Sequence, residues 1–134
     1  MSSSLFLIGA GRATITPPMG TALAGFAGRE HGADSVRDDL ELRVFWVDAE
    51  GNQAGPLCIM CFDLIGVGKR LTAEVRADLA QHLGIKPEAV LLAASHTHCG
   101  PQALENMIDT GEIDADYMQS LRQWCLQAAK AAKM

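Results

Sequence analysis

The residues best placed to do chemistry form one short run, His96-Thr97-His98-Cys99-Gly100-Pro101, directly after the apolar stretch Val90-Leu91-Leu92-Ala93-Ala94. On an extended segment, side chains two apart point to the same side, so His96 and His98 can bring two imidazoles to one point. Imidazole is the commonest protein metal ligand and a frequent acid or base, so the pair reads as half of a metal or catalytic site. Gly100-Pro101 ends the strand, because proline cannot donate a ladder hydrogen bond and glycine permits the turn. The pair therefore falls at a strand's C-terminal end, where open α/β sheets bind ligands. Asp63 closes a second apolar run just before Gly66-Val67-Gly68. A carboxylate there is either a turn former or a site group. Cys99, beside the histidines, is either a small turn residue or a thiolate ligand or nucleophile.

Elements on either side must hold these groups. Leu57 to Leu64 is almost wholly apolar, as expected of a strand covered on both faces. Lys69 to Leu83 spaces Leu71, Val75, Leu79 and Leu83 by four, an amphipathic helix closed by Gly84. His82 falls in its last turn, where a cation complements the helix dipole. Pro87-Glu88 leads into a strand from Val90 to Ser95, completing a βαβ unit with parallel strands. That topology puts Asp63 on the same sheet edge as His96 and His98.

Upstream, Leu5 to Ile15 reads as a strand with a glycine-rich kink at Gly9-Ala10-Gly11. It is not a dinucleotide fingerprint, since Arg12-Ala13-Thr14-Ile15-Thr16 and Pro17-Pro18 follow instead of a third glycine and a helix. Met19 to Ser35, with Gly20, Gly25, Gly28 and Gly32, is a long loop. Its Arg29, Glu30 and His31 read as solvated loop charges, with a site role as the alternative. Leu40 to Val47 is a strand entering a core, joined by a turn at Asp48 to Asn52 to the next strand in a hairpin. Gln102 to Ile113, with Glu105, Asp109 and Glu112, is a polar loop or ragged helix. Asp114 then N-caps a last helix to about Ala132, with Tyr117, Leu121, Trp124, Ala128 and Ala131 or Ala132 as its apolar stripe. The fold class is α/β: one domain over residues 1–134, with a mixed sheet, a βαβ unit and a C-terminal helix.

Composition sets outer bounds. A net charge of −5 over 134 residues argues against nucleic acid or an anionic membrane as main partner. No apolar run reaches transmembrane length and the N-terminus lacks signal-peptide features, so a cytoplasmic protein acting on a small molecule is expected. The four cysteines lie among apolar neighbours, in keeping with a reducing compartment. Cys58 and Cys61 formally make C-x-x-C, but on a strand i and i+3 point to opposite faces. An H-x-H pair also occurs in amidohydrolase barrels, which need many more βα units than this length holds.

Taken in order, Gly9-Ala10-Gly11-Arg12-Ala13-Thr14-Ile15-Thr16-Pro17-Pro18, Phe62-Asp63-Leu64-Ile65-Gly66, the helix ending at Leu83-Gly84-Ile85, and Ser95-His96-Thr97-His98-Cys99-Gly100-Pro101 resemble the N-terminal part of the neutral/alkaline ceramidase family. The resemblance implies a zinc-dependent hydrolase of an amide (N-acyl) bond. It implies His96 as a zinc ligand and His98 as the neighbouring active-site histidine near substrate; Asp63, from its place at the same sheet edge, is the second catalytic candidate. The substrate would be a small-molecule or lipid-like amide. Catalytic zinc needs about three protein ligands plus water, and the family takes a second histidine, a glutamate and a tyrosine from sequence further on. Where the family commonly has Gly-Ile-His-Asp-Pro-Leu, this chain has Val36-Arg37-Asp38-Asp39-Leu40; the motif serine is Cys99, and Gln102-Ala103-Leu104 replaces Gly-Gly-Tyr. The alternative expectation is a short, non-catalytic relative acting through partner binding or as a homo-oligomer.

Overall fold

A computed structural model describes residues 5–105, 107 and 111–133. The chain forms β1 (Phe6–Thr14), β2 (Glu41–Ala49), β3 (Leu57–Phe62), α1 (Lys69–Leu83), a 3-10 turn (Pro87–Ala89), β4 (Val90–Ala94) and α2 (Ala115–Ala132). The strands make one mixed sheet in the order β1-β2-β3-β4, antiparallel except for the parallel β3–β4 pair. The expected α/β class, hairpin, βαβ unit and C-terminal helix are all present. No helix of the described residues is long and apolar enough to cross a membrane.

Alternation along β2 shows how the layers form. Leu42, Val44 and Trp46 are buried while Arg43 and Phe45 are exposed. The buried set joins Met60 and Phe62 of β3, Leu71, Val75 and Leu79 of α1, and Tyr117, Leu121 and Cys125 of α2 in one core. Both helices thus share one face of the sheet. No element among the described residues covers the other face, which corrects the expectation that β3 is covered on both sides: Leu57 is exposed and Ile59 and Cys61 are only half-buried. Cys58 and Cys61 do point to opposite faces, and burial pushes the Cys58 thiol up to about 11.

The expected kink in β1 is absent. Its register runs unbroken from Phe6 opposite Ala49 to Thr14 opposite Glu41. The glycine serves packing instead: a Cβ on Gly11 would overlap the Ala128 carbonyl of α2. β2 also runs two residues past the expected end, through Asp48 and Ala49.

α1 has the expected span, ending at Gly84 in the left-handed conformation with φ 71°. Gly68 supplies no side-chain cap, and Glu105 Oε1 accepts from Arg70 N at 3.2 Å in its place. The Asp114 carboxylate caps α2, accepting from the N–H groups of Asp116 (2.9 Å) and Tyr117 (3.0 Å). Along α2 Tyr117, Leu121, Ala128 and Ala132 are buried as expected, while Cys125 and Ala129 join them and Trp124 is only half-buried, against Tyr117. Gln102 to Glu105 are not helical, and Asp109 lies outside the described residues.

Polar contacts to α1 and to the end of the first strand segment fix α2. Arg122 Nε and Nη2 donate to the Asp78 carboxylate at 2.9–3.0 Å. Tyr117 Oη donates to the Ile15 carbonyl at 2.7 Å in a buried setting. Tyr117→Phe would leave that carbonyl without its donor, a loss of about 1–2 kcal/mol. Urea denaturation should register it as a lower midpoint with an unchanged slope.

Candidate functional site

Because β3 and β4 are parallel, with Phe62 opposite Ala94, the chain leaves both strands at the same edge. The two exit segments stay bonded: Ser95 N donates to Phe62 O at 2.9 Å and His96 N to Leu64 O at 3.0 Å. β4 ends at Ala94, so His96 and His98 are not alternate residues of a strand. This corrects the geometric reason for their pairing, though not the pairing. His96 has a φ of 65°, a left-handed conformation uncommon for a non-glycine residue. Conformations of this kind persist where surroundings over-determine them. Here the main-chain bond and a second bond, from Nδ1–H to the Ile65 carbonyl at 2.7 Å, do so.

That second bond sets the chemistry. A carbonyl only accepts, so the bond requires a proton on Nδ1, and in the neutral ring the lone pair is then on Nε2. Metal-binding histidines are ordinarily oriented in this way, the other ring N–H being given to a carbonyl or carboxylate. His96 is exposed, and the His98 ring stands edge-on to it, centroids 5.1 Å apart and planes at 73°.

His98 is held by the long loop after β1. Ala24 N donates to Gly100 O at 2.8 Å, and Leu23 bridges Pro101. Gly25 then passes so close that a Cβ would overlap the His98 ring. Phe26 meets that ring edge-on at 5.1 Å. Arg29 Nη2 donates to the His98 carbonyl at 3.2 Å, and its guanidinium lies 5.2 Å over Phe26. Reading Arg29 as a solvated loop charge is therefore corrected: it is half-buried and fastens the loop to the motif, whereas Glu30 and His31 are exposed. Sequence reasoning missed Gly25 and Phe26. The available signal was the glycine density of the loop, which permits close approach to a ring.

Asp63 is at the same sheet edge, as expected, but its carboxylate turns toward β2. Its Oδ2 accepts from Glu41 N at 3.0 Å and Arg43 Nη1 at 3.4 Å, while its own N–H donates to Glu41 O at 2.9 Å. Cys99 is exposed in the turn, its N–H donating to Thr97 Oγ1 at 3.3 Å. Among the described residues no group of three or more His, Cys, Asp or Glu side chains is placed to hold a metal. The described residues therefore offer two neighbouring imidazoles, of which His96 has its ring fixed through Nδ1.

Two clefts flank the motif. One of about 440 Å³ lies beside Thr97 and Cys99, between Pro17, Leu23, Val36 and Leu40. The other, about 310 Å³, lies beyond Phe26 and Arg29 and is bordered by Glu30 and His31.

No protein-family model matches the sequence, and no curated protein sequence matches it. Solved structures do. The neutral ceramidase from Pseudomonas aeruginosa superposes with a TM-score of 0.85 at 20% identity, over 98% of this chain and 22% of that one. A ceramidase complexed with C2 gives 0.83 at 20% identity, over 95% of this chain and 21% of that one. At this identity the likeness is one of fold, and the chain spans about a fifth of the length of those ceramidases.

Proposed function

We propose that this chain carries part of a ceramidase-like zinc centre for cleaving an amide bond, with His96 as a metal ligand and His98 as its substrate-side neighbour. The observation that carries the reading is the Nδ1–H bond of His96 to Ile65, which fixes an exposed imidazole at the joint exit of β3 and β4 and keeps the Nδ1 side of the ring occupied. The motif order and the ceramidase fold support it. Zinc, when bound, supplies a water of lowered pKa and polarises an amide carbonyl. The remaining ligands must come from outside the described residues.

The chain's own residues orient and enclose. Arg29, Gly25 and Phe26 fix His98. Asp63 acts as a positioning residue that ties the β3 exit to β2 through Glu41 and Arg43. The cleft beside Thr97 and Cys99 has apolar walls at Pro17, Leu23, Val36 and Leu40 and a charged rim at Arg37, Asp38 and Asp39, which suits a small amide with both an apolar and a polar part. Competition against a chromophoric chelator tests the reading. One zinc per chain should bind, and His96→Ala should weaken it by at least about tenfold. Zinc uptake in His96→Ala, and in the double variant with His98→Ala, that equals that of wild type would refute it.

A further inference from the structure

The uncovered sheet face is apolar over most of its extent. Register places Phe6, Ile8 and Ala10 of β1 on the same face as Ala49, Val47 and Phe45 of β2. Leu57 and Ile59 of β3 continue the row, and Leu91 of β4 ends it. Phe6 is 68% exposed, Ile8 63%, Phe45 42%, Leu57 41% and Leu91 51%. At about 200 Å² for a large apolar side chain, these residues alone leave on the order of 500 Å² of apolar surface in water. Half-buried Val47, Ile59 and Cys61 add to it. A lone soluble domain rarely carries a contiguous patch of this size without a use for it.

We propose that this face packs against the same face of a second copy of the chain. Area is the first argument. Specific interfaces begin near 600 Å² per partner, which the patch approaches from its apolar centre alone. Charge is the second. The chain carries a net charge of −5, yet the charged groups on this face balance, Arg12 and Arg43 against Glu41 and Asp63. They are already paired, Arg43 with Glu41 at 2.7 Å and with Asp63 at 3.4 Å, and Arg12 with Glu41 at 3.9 Å. Two acidic molecules can therefore meet here without mutual repulsion, and the face has no excess cation for an anionic membrane. Shape is the third. Phe45 stands opposite Ala10, and a depression of about 530 Å³ lined by Ala10, Arg12, Arg43 and Phe45 lies beside it, reaching over the β1 edge to Ala131. A projecting ring next to a hollow is the self-complementary arrangement that a two-fold interface requires. Sheets packed this way lie about 10 Å apart.

Light scattering with size exclusion, and sedimentation equilibrium between about 1 and 100 μM, test the proposal. Wild type should have twice the 14.3 kDa chain mass at the upper concentrations. Phe45→Lys should raise the dissociation constant by about 30-fold or more, as loss of a central aromatic anchor does. Leu91→Lys, on the outer strand of the same face, should weaken the dimer in the same sense. Both sites are exposed in the single chain, so far-UV circular dichroism should be unchanged. A monomeric wild type throughout the range overturns the proposal, as does a dimer indifferent to both variants. A monomer that sediments with neutral phosphatidylcholine vesicles overturns it in favour of a lipid surface.

Discussion

Gly11→Val should destabilise the domain by about 3 kcal/mol, at the upper end of the cost of overpacking. Gly11 lies on β1 opposite Val44, where α2 crosses the sheet with its small residues Ala128, Ala129 and Ala132 turned inward. Any Cβ at that position would overlap the Ala128 carbonyl and crowd the Ala132 amide. A helix backbone cannot yield as the end of a flexible side chain can, so α2 must move away from the strand. Its movement would loosen Leu121 and Cys125, both fully buried, and strain the Tyr117 bond to Ile15. Thr14→Val, on an exposed position of the same strand, should stay within about 0.5 kcal/mol. Urea denaturation of the two variants checks the pair; a Gly11→Val loss below about 1 kcal/mol would mean that α2 does not press on β1 as described.

Gly25→Val should release the long loop from the histidine motif while leaving the fold intact. Gly25 has a φ of 104°, which side-chain-bearing residues rarely adopt, and its missing Cβ makes room for the His98 ring. Backbone strain alone costs about 1–3 kcal/mol, and the ring overlap adds to it. The Ala24 to Gly100 hydrogen bond contributes about 1 kcal/mol and the Arg29 to His98 bond about 1.5–3 kcal/mol, so strain and ring overlap together are of the size needed to undo the docking. Trypsin reads the outcome. Arg37 is almost wholly exposed and should be cleaved in both proteins, while Arg29, held by its bonds to His98 and Ala24, should become sensitive only in the variant. Equal protection of Arg29 in both proteins would contradict the docking, provided the circular dichroism matches.

Local signals that act within one element were readable from the sequence. The fourfold spacing of Leu71, Val75 and Leu79 with Gly84 behind it marks α1 to the residue, and Asp114 marks the start of α2. The parallel β3–β4 pair followed from chain connectivity alone, and with it the meeting of Asp63 and His96 at one edge. What the sequence could not convey depends on contacts distant along the chain. Gly11 reads as part of a kink because its partner, Ala128, lies in the last helix. Arg29 looked like a solvated charge because the carbonyl that binds it belongs to His98. A single strand's apolar pattern cannot tell one covered face from two, so the open side of β3 became visible only once both helices were placed on the other side. The histidine pair was found by a strand periodicity that does not apply beyond Ala94; the left-handed turn at His96 brings the rings together by another route.

The proposed function depends on the Ile65 carbonyl holding the His96 ring through Nδ1, so that Nε2 is the nitrogen that accepts a metal. Long-range proton–nitrogen correlation spectra of the histidine side chains, recorded near neutral pH before and after one equivalent of zinc, test it most directly. The account predicts a His96 ring protonated on Nδ1, with the Nε2 resonance alone moving strongly when zinc is added. A ring protonated on Nε2, or a His96 Nε2 resonance that zinc leaves in place, would contradict it.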